Sequence, residues 1–482
     1  VDAFNTRFQP NPGLTSADIP KLKLKWAFGV PGATVVRSQP AVASGRVVFG
    51  TQEGVVYSLD AATGCSHWAT EVSGQVRSGV TVAGDRVFVG DGAGNVHALD
   101  FLTGKPLWRK RLDEHPAAII TSTPAYHDGR IYVGVASFEE ALAVTRSYAC
   151  CTFRGSVVAL DAATGSLEWK TYTVLESPKP GKATRTGART IGPSGAGVWS
   201  APTLDLAAGL VYVLTGDNYS DPPTQTSDAL VALRMRDGAL LWSKQYTAGD
   251  AYNSSCPLPD KVNCPDSSGP DHDFGAPPIL VHRPRPLLLL AQKSGEVRAV
   301  DPARKGEIVW RDRPASGGVL GGIQWGPASD GVSYYVARSD ISFTRNRVPG
   351  SNDITVTNDP KMGGGLFAYR VQDGERIWMA PPADCSNRPL CSPAQSAPVT
   401  VIPGVVFSGA MDGHLRAYDA GNGSIIWDFD TVREFPTING VKANGGAIDT
   451  IGVVAAGGML FTGSGYAQFG GMAGNVILAF GK

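Results

Sequence analysis

Three short segments of the 482-residue sequence carry oxygen-donor side chains at corresponding places in its strand pattern. Val135-Ala-Ser-Phe-Glu-Glu140 follows a strand that ends at Gly134, and Thr215-Gly-Asp-Asn-Tyr219 follows one that ends at Leu214. Gly269-Pro-Asp-His-Asp-Phe-Gly-Ala276 follows a long loop holding Cys256 and Cys264. Two acids and an amide converging from such segments suit a hard cation, because oxygen donors favour calcium over zinc or copper. Each segment alone also reads as ordinary turn chemistry, in which Asp and Asn are common. A further oddity is the pair Cys150-Cys151, whose side chains close a strained eight-membered ring if they oxidise.

The elements that must position these residues form a repeat. Tyr57-Ser-Leu-Asp-Ala-Ala-Thr-Gly64 precedes Trp68, His97-Ala-Leu-Asp-Phe-Leu-Thr-Gly104 precedes Trp108, and Val157 to Trp169 has the same strand, turn and second strand. Looser copies end at Trp242, Trp310, Trp378 and Trp427. Trp26 has the second half of a unit alone, and Gly474-Asn-Val-Ile-Leu-Ala-Phe-Gly481 has the first half. Such halves complete one another when a ring of blades closes and leaves no open sheet edge. With alternating strands such as Arg86-Val-Phe-Val-Gly90 between the copies, the pattern predicts an all-β, eight-bladed β-propeller of four-stranded antiparallel blades. We expect one domain over residues 1–482, closed by pairing of the N- and C-terminal strands. Each repeat Trp is expected to cover the neighbouring blade's turn and donate its N–H. Trp199 and Trp325 fall outside the repeat and are candidates for another role. Spacing between repeat Trp residues rises from 42 and 40 to between 61 and 73 in the middle blades, which places long loops, and the chemistry, between about Ala136 and Trp325.

Lys plus Arg equals Asp plus Glu at 43 each, so no net field attracts nucleic acid or an anionic membrane. No apolar run reaches the roughly 20 residues of a membrane span. The cysteines fall into three close pairs, Cys150/Cys151, Cys256/Cys264 and Cys385/Cys391, which favours disulfides and an oxidising compartment. Cys65 is expected to be a small buried residue. The sequence starts at Val1 with no basic-then-apolar leader and reads as a mature or trimmed chain; a removed secretion signal would fit, and a periplasmic location is expected.

The Asp-x-x-Thr-Gly-x-x-x-Trp repeats, Arg7-Phe8 with Leu14-Thr15, Trp199 before Leu210-Val-Tyr-Val, and Asp273-Phe274 together resemble the quinoprotein alcohol dehydrogenases. These are eight-bladed propellers that bind pyrroloquinoline quinone (PQQ) and Ca²⁺. Cys150-Cys-Thr-Phe-Arg-Gly155, Thr215-Gly-Asp-Asn-Tyr-Ser-Asp-Pro222 and Gly465-Tyr-Ala-Gln-Phe-Gly-Gly471 suggest the branch that oxidises polyvinyl alcohol. The resemblance implies a metal held by Glu139 or Glu140, by Asn218, which stands beside Asp217, and by Asp273. It makes Asp273 the base that takes the alcohol proton as hydride leaves for the quinone. By the same resemblance Trp199 would form the floor under the cofactor, Lys293 would stabilise the negative charge that develops on the quinone oxygen, Arg77 would pair with a cofactor carboxylate, and Thr121 would make a further cofactor contact. In lanthanide-using relatives a second Asp lies about two residues beyond the base; here that residue is Gly275, which favours calcium. In many small-alcohol relatives the adjacent cysteines precede the segment matching Arg77, where this chain reads Val72-Ser-Gly-Gln-Val-Arg77. Cys150 and Cys151 are instead expected to form a disulfide near the quinone from a different blade. There is no Cys-x-x-Cys-His haem motif, so electrons are expected to pass to a separate cytochrome c. A PQQ enzyme for small alcohols or sugars, or a scaffold of the outer-membrane assembly type, are the alternative readings.

Overall fold

Alternating apolar residues and Gly/Asp turns fold into short antiparallel strands that bury one blade face against the next. The computed structural model describes residues 2–185, 187–347, 354–385 and 388–482. It contains eight sheets of four main strands each, with one short extra strand (Ala118–Ile119) on the third. The first is typical: Ala41–Ala43, Arg46–Gly50, Val55–Asp60 and Ser66–Glu71 pair in chain order. First strands of neighbouring blades meet one another, as Ala41–Ala43 does with Thr81–Ala83 and Val454–Ala456, so they line the central channel. The last sheet closes the ring: Val476–Gly481 pairs with Lys23–Gly29, Trp26 opposite Ala479 and Ala27 opposite Leu478.

Hydrophobic clusters lie between blades rather than within them. Val48, Val56 and Trp68 of one blade pack with Val76, Val87, Val89 and Leu99 of the next. Six repeat indoles donate to a turn carbonyl of the following blade at 2.7–3.1 Å, as Trp68 does to Phe101 O. The turn glycine is forced by this packing: at Gly104, with φ of 72°, a Cβ would stand 2.6 Å from the Trp68 ring. Trp242 departs from the pattern, while the Tyr246 hydroxyl takes Gly306 O (2.9 Å), the turn-glycine carbonyl that Thr70 and Thr171 take in their blades. Trp427 packs edge-on against Phe480 of the closing blade at 5.3 Å.

The N-terminal segment crosses one end of the channel. Ala3, Phe4, Thr6 and Arg7 each accept a backbone N–H from the first strands of four successive blades, at Leu204, Leu280, Ser329 and Val401. Among the described residues the one α-helix is the single turn Glu139–Leu142. All three cysteine pairs form disulfides. Cys65 corrects an expectation, for it is exposed and unpaired. It lies between the turn and the outermost strand of its blade, where no neighbouring strand covers it.

Candidate active site

A repeated sequence feature aims side chains into the channel. Val36-Arg37-Ser38, Val76-Arg77-Ser78, Ile120-Thr121-Ser122 and Val198-Trp199-Ser200 hold the same position ahead of the first strand of four successive blades. In the first three the serine hydroxyl accepts the N–H of Gly50, Gly90 or Gly134 at 2.9–3.1 Å, locking the approach to the strand. The preceding residues, Arg37, Arg77, Thr121 and Trp199, then face a cavity of about 590 Å³. Thr121 also fixes its neighbour, since its hydroxyl donates to Trp199 O at 3.0 Å. Trp325 meets Trp199 edge-on at 5.4 Å, and its indole N–H donates to Asp449 at 2.6 Å.

The fourth and fifth blades supply the acids. Asp273 Oδ1 accepts the Asp217 N–H at 2.6 Å, and Lys293 Nζ donates to Asp273 Oδ2 at 2.9 Å and to Asp271 Oδ1 at 2.7 Å. Nζ lies 5.5 Å from the centre of the Trp199 ring. Carboxylate oxygens of Asp217, Asp271 and Asp273 fall within 4.8 Å of one another, and Asp217 Oδ2 has no hydrogen-bond partner. Burial, then the charges of Asp273 and Asp271, push the Asp217 carboxyl far above its usual range. Burial and Asp273 raise Glu140 to about 7 against the opposing pull of Lys293 and Arg77. Burial alone would lower the Lys293 ammonium, but Asp271 and Asp273 hold it well above the ordinary lysine value. Excess buried acid around one ammonium, all of it oxygen donors, fits a hard divalent cation.

Comparison with known proteins decides the family. The chain is 39% identical to the polyvinylalcohol dehydrogenase of Pseudomonas sp, over 99% of this chain and 75% of that protein. It is 39% identical to the polyvinylalcohol dehydrogenase of Sphingopyxis sp. (strain 113P3), over 99% and 74%. The chain belongs to the quinoprotein alcohol dehydrogenases. Their repeat architecture extends further: a family described as outer membrane protein assembly factor BamB matches residues 17–194 and 293–457, and the chain belongs to that repeat family in the broad sense. The interval that this match skips holds Trp199, Asp217, Asp271 and Asp273. Among solved structures, the quinohemoprotein alcohol dehydrogenase of Comamonas testosteroni has the same fold, with a TM-score of 0.72, 19% identity and coverage of 99% of this chain and 79% of that one. BamB from Moraxella catarrhalis matches at 0.56, with 14% identity over 96% and 100%.

Seen as a quinoprotein alcohol dehydrogenase, the chain brings together Arg77, Thr121, Glu140, Trp199, Asp273 and Lys293 around one cavity. Glu139 points elsewhere. Its carboxylate accepts the N–H groups of Thr152 and Phe153 (2.7–3.0 Å) and the Tyr148 hydroxyl (2.8 Å), with His115 at 3.4 Å, so it anchors the segment after Cys150-Cys151. Asn218 is likewise engaged within the protein: its Nδ2 donates to Ser194 O (2.8 Å) and its Oδ1 accepts the Thr224 N–H (2.6 Å). The adjacent Asp217 carries the free oxygen. Cys150 and Cys151 are buried with Phe153 and Tyr219 in a core cluster and do not line the cavity; Tyr219 lies between, in the same cluster and in the cavity wall. At Gly275 a Cβ would stand 2.6 Å from Gln324 O and 2.8 Å from Trp199 Cη2, so an acid there would displace the floor. Sequence reasoning missed Asp271 and Arg37. Asp271 stands two residues before Asp273, and Arg37 repeats the Val-Arg-Ser of Arg77, which is the signal that identifies it.

Proposed function

We propose that this chain oxidises the secondary hydroxyl groups of polyvinyl alcohol to ketones in the periplasm, with PQQ and Ca²⁺ in the 590 Å³ cavity, and passes the electrons to a cytochrome c. The observation that carries the reading is the Asp271–Lys293–Asp273 constellation against Trp199, with Asp217 Oδ2 left unpaired. Asp217, Asp271, Asp273 and Glu140 are the residues that would hold Ca²⁺. Bound PQQ supplies the hydride acceptor, and Ca²⁺ the Lewis acid that polarises it. Trp199 offers the flat surface for a planar ring system. Asp273, its two oxygens oriented by the Asp217 N–H and by Lys293, takes the proton of the substrate hydroxyl. Lys293 places positive charge where negative charge develops.

The substrate reading draws on the cavity mouth. Phe138 and Phe469, each 38% exposed, line the cavity with Leu320 and Ile341. An apolar wall above an acid-rich base suits a chain that alternates methylene with carbinol carbons. The disulfides agree with an oxidising compartment.

The test is to add PQQ and Ca²⁺ to the apo-protein. Tryptophan fluorescence should be quenched and dye-linked oxidation of polyvinyl alcohol should appear, faster on the polymer and its oligomers than on ethanol. Absence of PQQ binding in the presence of Ca²⁺ would overturn the reading. Combined Phe138→Ala and Phe469→Ala should raise the KM for polymer by about tenfold through lost apolar contact, with little change for a short alcohol.

A further inference from the structure

Gln292 and Lys293 are neighbours in the turn between two strands of the fifth blade, Leu287–Ala291 and Val297–Asp301. Lys293 reaches the cavity, whereas Gln292 is wholly buried and lies outside the cavity wall. Every hydrogen-bonding position of the Gln292 amide is filled. Its Nε2 donates to His272 O at 2.7 Å and to Thr247 Oγ1 at 3.0 Å, and its Oε1 accepts from Ser294 Oγ at 3.0 Å and from Arg298 Nη2 at 3.1 Å. His272 stands between Asp271 and Asp273, so this side chain grips the loop that carries both acids. Beside it the Lys293 backbone N–H donates to Asp273 O at 3.0 Å.

Arg298 sets which way the amide faces. A guanidinium only donates and a carbonyl only accepts, so one amide orientation satisfies Arg298 and His272 O together. Arg298 is 2% exposed; its guanidinium lies 4.6 Å from the centre of the Tyr246 ring and 5.8 Å from that of Phe274, the residue after Asp273. It also pairs with Glu296, but its Nε and Nη1 have no hydrogen-bond partner. A buried guanidinium with unpaired N–H groups is costly, and a methionine would fill similar space without that cost.

The second blade shows the same positions in another use. Asp91 and His97 flank Gly94 as Gln292 and Arg298 flank Gly295, and the backbone oxygens of Asp91 and Gln292 accept the N–H of Ile120 and Ile323 respectively. Asp91 pairs with His97 at 2.7 Å and otherwise accepts from its own turn, at Ala93 and Asn95. A carboxylate suffices for that lock within one blade. An amide can do more, accepting from the cation of its own blade while donating to the loop of the next.

We propose that Gln292 is a positioning residue for the reaction: oriented by Arg298, it holds Asp273 and Lys293 in register by tying the acid-bearing loop of the fourth blade to the fifth. This rests on the alcohol-oxidation reading, in which Asp273 takes the substrate proton.

The experiment uses the full chain. Gln292→Glu keeps the shape and the pairing with Arg298 but loses both N–H donors. It should lower kcat on polyvinyl alcohol about 10- to 100-fold, with Tm and PQQ affinity by tryptophan quenching close to wild type. In the apo-protein, exchange of the Asp217 N–H, which is bonded to Asp273 Oδ1, should quicken about tenfold, while the amides of Leu287–Ala291 keep their protection. Arg298→Met should show the same split, and Arg298→Lys should recover part of it, because an ammonium can still donate to the amide oxygen. Wild-type kcat and unchanged Asp217 exchange in Gln292→Glu would overturn the proposal and leave a lock of the Asp91–His97 kind. Parallel loss of Tm, PQQ affinity and kcat in both Gln292→Glu and Arg298→Met would overturn it in favour of a structural role. Failure of wild type to bind PQQ would overturn the cofactor reading, and the apo-protein exchange would then decide by itself whether Gln292 positions Asp273.

Discussion

Lys293 is held by geometry that lysine alone would not adopt. A buried ammonium survives because Asp271 and Asp273 reach it at 2.7 and 2.9 Å, and each carboxylate owes part of its placement to that ammonium. The three side chains act as a unit, so single substitutions should differ in kind. Asp273→Asn keeps the shape but removes the proton acceptor; turnover should fall about 10²- to 10⁴-fold while PQQ still quenches tryptophan fluorescence. Asp217→Asn removes the unpaired oxygen and should weaken Ca²⁺ binding about 10- to 100-fold, read by calorimetry on the apo-protein. Glu139 and Glu140, named as alternatives by the resemblance, are set apart by the fold. Successive residues of a helical turn project about 100° apart, so one carboxylate reaches the cavity and the other turns to backbone donors.

The blade turn is the element on which the ring depends. Asp60, Asp100 and Asp161 each accept the side-chain hydroxyl and backbone N–H of the Thr three residues on, at 2.6–2.8 Å. The side-chain bond first, and the backbone bond with it, lowers each carboxyl below its usual range. A folded-state pKa below the unfolded value contributes stability above the unfolded pKa, lost as pH falls through the folded one. The triple substitution Asp60→Asn, Asp100→Asn, Asp161→Asn should therefore lower Tm at neutral pH, and the gap from wild type should narrow as pH falls to about 3. Equal gaps at both pH values would show that the turns contribute no pH-linked stability. These turns were legible because their Thr-Gly-x-x-x-Trp spacing repeats with little change. Trp242 was read as an equivalent copy, but among the described residues it lacks the indole bond that six repeat Trp residues make, and Tyr246 takes the turn-glycine carbonyl that a Thr takes elsewhere, differences that spacing cannot reveal.

At the scale of the molecule, closure removes sheet edges. Val476–Gly481 is bonded on one side to Met459–Ser464 and on the other to Lys23–Gly29, so one strand joins the two ends of the chain. Its side chains are buried throughout. Deleting residues 476–482 would expose two edges and an apolar face; the variant should aggregate or melt in a broad, low-temperature transition by calorimetry. Closure also brings Arg37 and Asp449, from opposite ends of the sequence, into the wall of one cavity with Lys293.

By itself the sequence determined the eight-bladed ring, because blade formation depends on local alternation, turn chemistry and a repeated indole. It also determined the family, through motifs that persist near full length. Trp199, Arg77, Thr121, Lys293 and Asp273 were marked by likeness, and their common cavity became visible once the blades closed. Only the tertiary structure separates Glu140, which lines the cavity, from Glu139, and Asp217, which keeps an unpaired oxygen beside Asp273, from Asn218, since other segments take up the polar atoms of Glu139 and Asn218. The same holds for Cys150-Cys151, set by its core cluster outside the cavity wall. Whether a polar side chain is free to act depends on which distant atoms already satisfy it, and those neighbours are fixed when the ring closes.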